Sequence, residues 1–327
     1  MYAMRKRTNS IIFIIVIVVF FAAGCQKKDT TKQNDIKIYY SAIESGDYYE
    51  GWASQLQKQA EQFGCKLDAG YAEKSVEVQD VQIKNAFAGG YHVVLCGLVS
   101  PDIAVEIKAA AKDIPIVFIN NAPADNQLEK DRYVYVASDE FMAGQYQAEY
   151  LLEKLKQKEE INLVILKGPK EASGTIGRTD GLKQTLKASG KKINYVFEDY
   201  ANWSEDTAKE LMEIFLNLGK PVDCVAANND DMALGAIAAF EEAGFELDQV
   251  LFLGVDASEK GCEAVADGKM DFTVYQPMSA QIAAAIEAAR KLAAGESIGG
   301  IEGATKDGKY ILLPFEKVDA SNVEQYR

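Results

Sequence analysis

Val222-Asp-Cys-Val-Ala-Ala-Asn-Asn-Asp-Asp-Met-Ala-Leu-Gly-Ala-Ile-Ala-Ala-Phe240 decides the fold. A short apolar run stops abruptly at Asn228, Asn229, Asp230 and Asp231. Small residues with helical spacing follow, so that Met232, Ala236, Ala239 and Phe240 share one face. The pattern is a buried parallel strand, a polar turn at its carboxyl end, and a helix capped by an Asx side chain. In open α/β sheets that corner is where ligands sit. The four polar residues equally suit plain turn and cap chemistry, and this stretch alone leaves both readings open.

The same unit repeats on either side. Strands are predicted at 36–40, 65–71, 92–96, 114–119 and 133–137. Between them lie a helix with Trp52, Leu56, Ala60 and Phe63 on one stripe, a helix at 78–88 stopped by Gly89-Gly90, and a helix at 103–112. The pattern then restarts with a helix at 139–156, a strand at 161–166, a Gly-rich turn at 168–177, a helix at 178–188, a strand at 193–200 and a helix at 205–218. Beyond the opening stretch come a strand at 250–255, a helix at 259–267, a strand at 272–275, a helix at 279–293 and a last strand at 310–313. Such alternation implies an α/β protein with parallel sheets covered on both faces. At 327 residues the chain suits two doubly wound lobes rather than one core. The expected division is an N-terminal lobe of 36–137 plus 278–311 and a C-terminal lobe of 138–277 plus 312–327. Three crossover segments join them, with hinges near 138–139, 275–278 and 312–315.

The amino terminus reads as an address. Arg5, Lys6 and Arg7 precede an apolar run over 11–21, and then come Ala22-Ala23-Gly24-Cys25. A basic region, a short apolar region and small residues make a secretory signal, too short for a comfortable membrane span. Ala-Gly-Cys resembles the bacterial lipobox, although Ala22 stands where leucine is commonest. Residues 1–24 are thus expected to be a lipoprotein signal peptide, Cys25 the lipidated amino terminus of the mature chain, and 25–35 a polar tether. Cleavage there would take the net charge from −14 to −17.

Composition narrows the function. With 48% hydrophobic and 26% charged residues the chain is globular. Its acidity and scattered Lys and Arg argue against a nucleic-acid partner, whose phosphates demand clustered basic residues. The one histidine, His92, begins a predicted strand, away from the carboxyl ends that carry sites. That weakens hydrolytic triads and histidine-based metal centres, and no enzyme activity, cofactor or metal is expected. No GxGxxG follows the first strand and no GxxxxGK[ST] occurs. Gly168-Pro-Lys-Glu-Ala-Ser-Gly-Thr-Ile-Gly177 resembles a phosphate cradle but lacks the Lys-Ser/Thr ending. Cys65, Cys96, Cys224 and Cys262 are widely spaced and suggest neither a zinc site nor a dense disulfide framework.

What recurs is polar residues at strand carboxyl ends: Asn120, Arg178, Asn229, Asp256 and Gln276. Aromatics accompany them, Tyr48 and Tyr49 after the first strand and Trp203 in a loop before a helix. Forked donors and acceptors beside planar rings suit a sugar, whose hydroxyls need paired partners while its C–H face packs on a ring. Each has a plainer reading. Asp47 and Ser204 suit helix caps, Tyr49 and Trp203 suit core, and Asp256 suits a salt bridge with Lys260.

Four blocks make a resemblance specific: Val117-Phe-Ile-Asn-Asn-Ala-Pro123, Leu163-Val-Ile-Leu-Lys-Gly168, Ala227-Asn-Asn-Asp-Asp-Met-Ala-Leu-Gly-Ala236 and Leu253-Gly-Val-Asp-Ala257. Through them the chain resembles the periplasmic sugar-binding proteins of the ribose and galactose/glucose type over 36–323, the galactose/glucose branch most closely. The resemblance implies the type I periplasmic-binding-protein fold. It implies Asp47 and Asn120 as hydroxyl partners from the first lobe, Tyr49 and Trp203 sandwiching the ring with Tyr48 flanking, and Arg178, Asn229, Asp256 and Gln276 completing the polar shell. Of the corner residues, Asn229 is expected to face the ligand while Asp230 and Asp231 serve the helix amino terminus. The branch's histidine and aspartate before the arginine are here Ala172 and Gly174, so Ser173 or Thr175 would have to replace their contacts. Gln276 replaces an asparagine, and 155–160 lacks the alternating ligands of the branch's calcium loop. The implied protein is a monomer that captures a hexose-like monosaccharide by hinge closure and delivers it to an ABC-transporter permease. A sensor presenting the ligand to a membrane histidine kinase or chemoreceptor is the alternative.

Overall fold

The computed structural model describes residues 36–327; the expected signal peptide, Cys25 and the expected tether lie outside the described residues. The first half alternates β1 (Lys37–Ala42), α1 (Asp47–Gln62), β2 (Lys66–Tyr71), α2 (Val76–Ala88), β3 (Val93–Cys96), α3 (Ala104–Ala111), β4 (Ile116–Phe118) and β5 (Tyr133–Ser138). The second alternates α4 (Glu140–Lys154), β6 (Glu160–Lys167), α5 (Ser173–Ala188), β7 (Lys192–Tyr200), α6 (Glu205–Asn217), β8 (Cys224–Ala227), α7 (Asp230–Glu242), β9 (Leu251–Leu253), α8 (Glu259–Ala266) and β10 (Phe272–Tyr275). Last come α9 (Met278–Ala293), β11 (Tyr310–Leu313) and β12 (Glu316–Asp319).

Two six-stranded sheets result, in the orders β11-β5-β4-β3-β1-β2 and β12-β10-β9-β8-β6-β7. Every ladder is parallel except β10 against β12. The two sheets share one winding, with the order reversing between β1 and β3 in the first and between β6 and β8 in the second. Those are the switch points where side chains beyond the strand ends can surround a ligand. Central strands such as β3 and β8 are buried at every position, as parallel strands covered on both faces must be.

Helices α1 and α9 cover one face of the first sheet, α2 and α3 the other. In the second lobe α4 and α5 cover one face, with α6, α7 and α8 opposite. Trp52, Leu56 and Ala60 form the buried stripe of α1, but Phe63 lies past its end, 37% exposed, beneath the Arg290 guanidinium. The chain crosses between sheets three times: from β5 into α4, from β10 into α9, and from β11 into β12.

Two expectations need correction. The Gly-rich stretch is mostly not a turn, because α5 begins at Ser173 and Arg178 stands inside the helix. The glycines serve packing instead. A Cβ on Gly144 would overlap the Arg178 carbonyl, and one on Gly181 would overlap the Phe141 carbonyl, so α4 and α5 meet backbone to backbone. Strand β12 is the other departure. Only Val318 in Glu316-Lys-Val-Asp319 is buried, since an edge strand with one neighbour needs little apolar surface.

Candidate ligand-binding cleft

The first lobe supplies the ends of β1 and β4. Gly46, at φ 124°, turns the chain into α1, so that Asp47, Tyr48 and Tyr49 form its first turn. Gly46 is the N-cap and offers no side chain, so Asp47 is not the cap and is solvent-exposed. Tyr48 and Tyr49 meet edge to face with centroids 5.0 Å apart. Tyr49 is half-buried against the first core, whereas the Tyr48 ring is about half exposed. Desolvation and then the Asp256 charge push the Tyr48 hydroxyl up to about 12, so protein surrounds that end of the ring and the second lobe faces it. Asn120 Nδ2 donates to Tyr48 Oη at 3.3 Å. Asn120 itself holds φ 61°, and its carbonyl accepts from Tyr135 Oη at 2.9 Å. Its Oδ1 is buried and has no hydrogen-bond donor.

In the second lobe Arg178 is the hub. It is 5% exposed; Nε donates to Glu140 Oε2 at 2.7 Å, and Nη1 donates to the Asn228 carbonyl at 2.6 Å and to Asp256 Oδ1 at 3.3 Å. Burial alone would lower its pKa, but Glu140 and Asp256 outweigh that and hold it above the ordinary value. The guanidinium lies 5.6 Å from the Trp203 ring centroid. Trp203, at φ 65°, lies against Gly168, where any Cβ would strike its ring. Asp256 sits at φ 117°, and burial raises its carboxyl, with Arg178 opposing and Asp230 and Glu140 adding to the rise. Lys260 pairs with Glu205 rather than with Asp256. Gln276 donates its backbone N–H to the Asp256 carbonyl at 3.3 Å; its half-buried side chain makes no hydrogen bond among the described residues.

The opening corner divides its labour differently from expectation. Asn229 is the cap of α7, its Oδ1 accepting from the Met232 N–H at 3.0 Å. Asp230 is fully buried and turns toward the neighbouring strand ends, accepting from the Ser258 N–H and hydroxyl and from Thr273 Oγ1 at 2.6 Å. Asn228 Oδ1 accepts from the Gly168 N–H and Thr179 Oγ1, while its Nδ2 is buried without a partner.

The structure therefore brings Tyr48 and Asn120 together on one wall, and Arg178, Asp256 and Trp203 on the other. Tyr49, Asn229 and Gln276 adjoin them, and Asp47 stands at the rim without a contact to the rest among the described residues. Sequence reasoning missed Glu140. An acidic residue opening a helix looks like a partner for the helix dipole, and nothing nearby signals a distant arginine. His92 is at the opposite ends of the strands, its Nδ1 accepting from the Lys37 N–H. Among the described residues the four cysteines, Cys65, Cys96, Cys224 and Cys262, are free and buried. Among the described residues no group of three His, Cys, Asp or Glu side chains could hold a metal ion.

An orphaned acceptor and donor, a buried arginine and two aromatic rings on facing lobes make a candidate cleft suited to hydrogen bonding. Residues 38–297 match the model of the periplasmic binding protein domain. The chain belongs to this family. It is of the ribose/galactose type of periplasmic sugar-binding proteins, a solute-binding rather than an enzymatic group. A candidate rhizopine-binding protein of Rhizobium meliloti is 31% identical, the match covering 81% of this chain and 83% of that one. The galactose/methyl-galactoside binding periplasmic protein of Haemophilus influenzae is 26% identical over 80% of this chain and 82% of its own. Among solved structures, an ABC transporter solute-binding protein from Bacillus halodurans with bound myo-inositol superposes with a TM-score of 0.76. It is 28% identical, with 90% of this chain and 97% of that one covered. In this periplasmic binding protein the matched region spans the cleft residues of both lobes, from Asp47 to Gln276.

Proposed function

We propose that this protein is an extracytoplasmic lipoprotein, anchored through Cys25, that captures a monosaccharide or cyclic polyol of hexose size and delivers it to the permease of an ABC importer. The observation that carries the ligand class is the buried Asn120 Oδ1 without a donor in the first lobe, together with the Arg178 donors and Asp256 acceptor of the second. A ring bearing several hydroxyls satisfies both walls at once, and Tyr48, Tyr49 and Trp203 offer faces for its C–H surface. Asp47, Asn229 and Gln276 would complete the shell. The sheets move the expected lobe boundaries by one or two residues, because Ser138 of β5 and Leu312 and Leu313 of β11 pair within the first sheet; the lobes would be 36–138 plus 278–313 and 139–277 plus 314–327, the chain acting as a monomer. A galactose-binding relative and a solved structure with bound myo-inositol support a ring, while a xylitol-binding relative, 29% identical, supports an open-chain polyol as the competing ligand. Ala172 and Gly174, standing where the galactose/glucose branch has hydrogen-bonding side chains, argue for a ligand with fewer contacts on that side.

The test is a thermal-shift and calorimetric screen with galactose, glucose, ribose, xylitol and myo-inositol. A ring ligand at a hundredfold excess over its Kd should stabilise the fold by about 2.7 kcal/mol and raise Tm by several degrees. A flat response to every ring compound would overturn the ligand class. Replacement of Cys25 by serine should release the protein from the membrane fraction; retention there would refute the anchor.

A further inference from the structure

Ser173 is expected from sequence to be, at most, a substitute hydroxyl for the ligand, yet in the structure its hydroxyl is already engaged. From the first turn of α5 in the second lobe, Ser173 Oγ donates to the Asn120 carbonyl at 3.2 Å and accepts from the Ala122 N–H at 3.1 Å. Both partners are backbone groups of the loop leaving β4 in the first lobe. The α5 cap residue is Ala172, and Ser173 is not used for capping. Among the described residues no other side-chain hydrogen bond spans the cleft; the Gln281 to Ser138 bond lies at a crossing itself.

The loop that Ser173 grips presents Asn120. That residue is held in left-handed backbone, which a non-glycine keeps only under restraint. One restraint is Tyr135, whose hydroxyl reaches the same carbonyl from within the first lobe and persists whether the cleft is open or closed. The other is Ser173, which exists only when the lobes meet. We propose that Ser173 is a positioning residue: its hydroxyl latches the Asn120–Ala122 loop across the cleft and so couples closure of the lobes to presentation of the Asn120 acceptor. A hydroxyl suits this work because one oxygen donates and accepts together, matching a C=O and an N–H on one loop. The proposal rests on Asn120 as a ligand partner, and its test separates the two.

The first arm needs no ligand. A double variant, Ala122→Cys with Ser173→Cys, should form a disulfide under oxidised glutathione, since the serine oxygen already touches the Ala122 amide. The locked protein should scatter X-rays as a more compact particle than its reduced form. Failure of the folded double variant to cross-link, with each single variant as control, would overturn the latch. The second arm follows myo-inositol and galactose by stopped flow. Ser173→Ala should leave the association rate unchanged, because the latch forms after encounter, and raise the dissociation rate roughly 5- to 50-fold. Ser173→Thr, which keeps the oxygen, should restore most of the loss. Wild-type dissociation from Ser173→Ala would sink the coupling even if the cross-link forms. Absence of binding by the unmutated protein to either compound would instead count against the ligand assignment, and the cross-link alone would then judge the latch.

Discussion

Arg178 holds three hydrogen-bond partners in register, and removing it would do more than delete a ligand contact. Its side chain neutralises Glu140 and Asp256 and fastens the Asn228 carbonyl. Arg178→Ala should therefore abolish binding and also lower stability by about 3 kcal/mol or more, because two carboxylates lose their counter-charge. Trp203→Ala separates the roles: binding should weaken by about 1–3 kcal/mol, with a smaller change in the urea midpoint. Equal loss of stability in both variants would contradict the assignment of Trp203 to the ligand. Asp256 sets a pH dependence. Burial pushes its carboxyl up to about 7, with Arg178 opposing, while Asp230, Glu140 and Asp231 add to the rise. Below that value it is protonated, and the neutral carboxyl accepts more weakly from ligand hydroxyls than the carboxylate. Affinity should rise with pH up to about 7, at most on the order of tenfold per unit, and then level off. In the unliganded fold the sign is opposite. A raised acid pKa gives stability that is full below the ordinary carboxylate range and lost as pH climbs through about 7. Calorimetry between pH 5.5 and 8, with Asp256→Asn flattening the profile, checks this. Asn120 and Asp256 could be read as cleft candidates because strand ends are where polar residues must be explained; Arg178 was grouped with them although it stands inside α5. Glu140 could not be read so, since it depends on which distant cation comes near; the Asx cap of α7 was expected, but not that Asn229 rather than Asp230 or Asp231 would supply it.

Helices α4 and α5 are the element that aims this arginine. Their glycines allow the backbones to touch, which brings Glu140 at the start of one helix to Arg178 on the other. Gly181→Ala would push the helices apart, costing about 1–3 kcal/mol of stability and weakening ligand binding with it. Gly51→Ala is the contrast: its Cβ would meet nothing within 4 Å in the middle of α1, so it should be neutral or stabilising by up to about 1 kcal/mol. Urea unfolding of both variants measures the difference, and equal losses would refute the close-packing account. This pair of helices also explains a misreading. Gly168, Gly174 and Gly177 look like loop glycines by composition, but Gly177 would strike Glu140 if it carried a side chain. Tertiary crowding, not turn geometry, put it there. Strand β12 was invisible for the converse reason, its neighbours being too few to leave an apolar pattern.

At the scale of the whole molecule the alternation of strands and helices carried the two α/β lobes and the return of the final elements between them, while the three crossings came with the family resemblance. The spatial strand order was beyond it, because order depends on which strands pair, and periodicity says only that they are buried. Two lobes joined only by short crossings should move as rigid bodies. Ligand binding should therefore lower the radius of gyration measured by X-ray scattering while leaving far-UV circular dichroism unchanged; an unaltered radius at saturation would argue for a rigid cleft. The crossings have another consequence. Helix α9 and strand β11 return to the first sheet after the whole second lobe has been made, and β12 then completes the second. Neither lobe is an uninterrupted length of chain. A polypeptide emerging amino end first cannot close the first sheet before β11 or the second before β12, so both lobes are completed late and almost together.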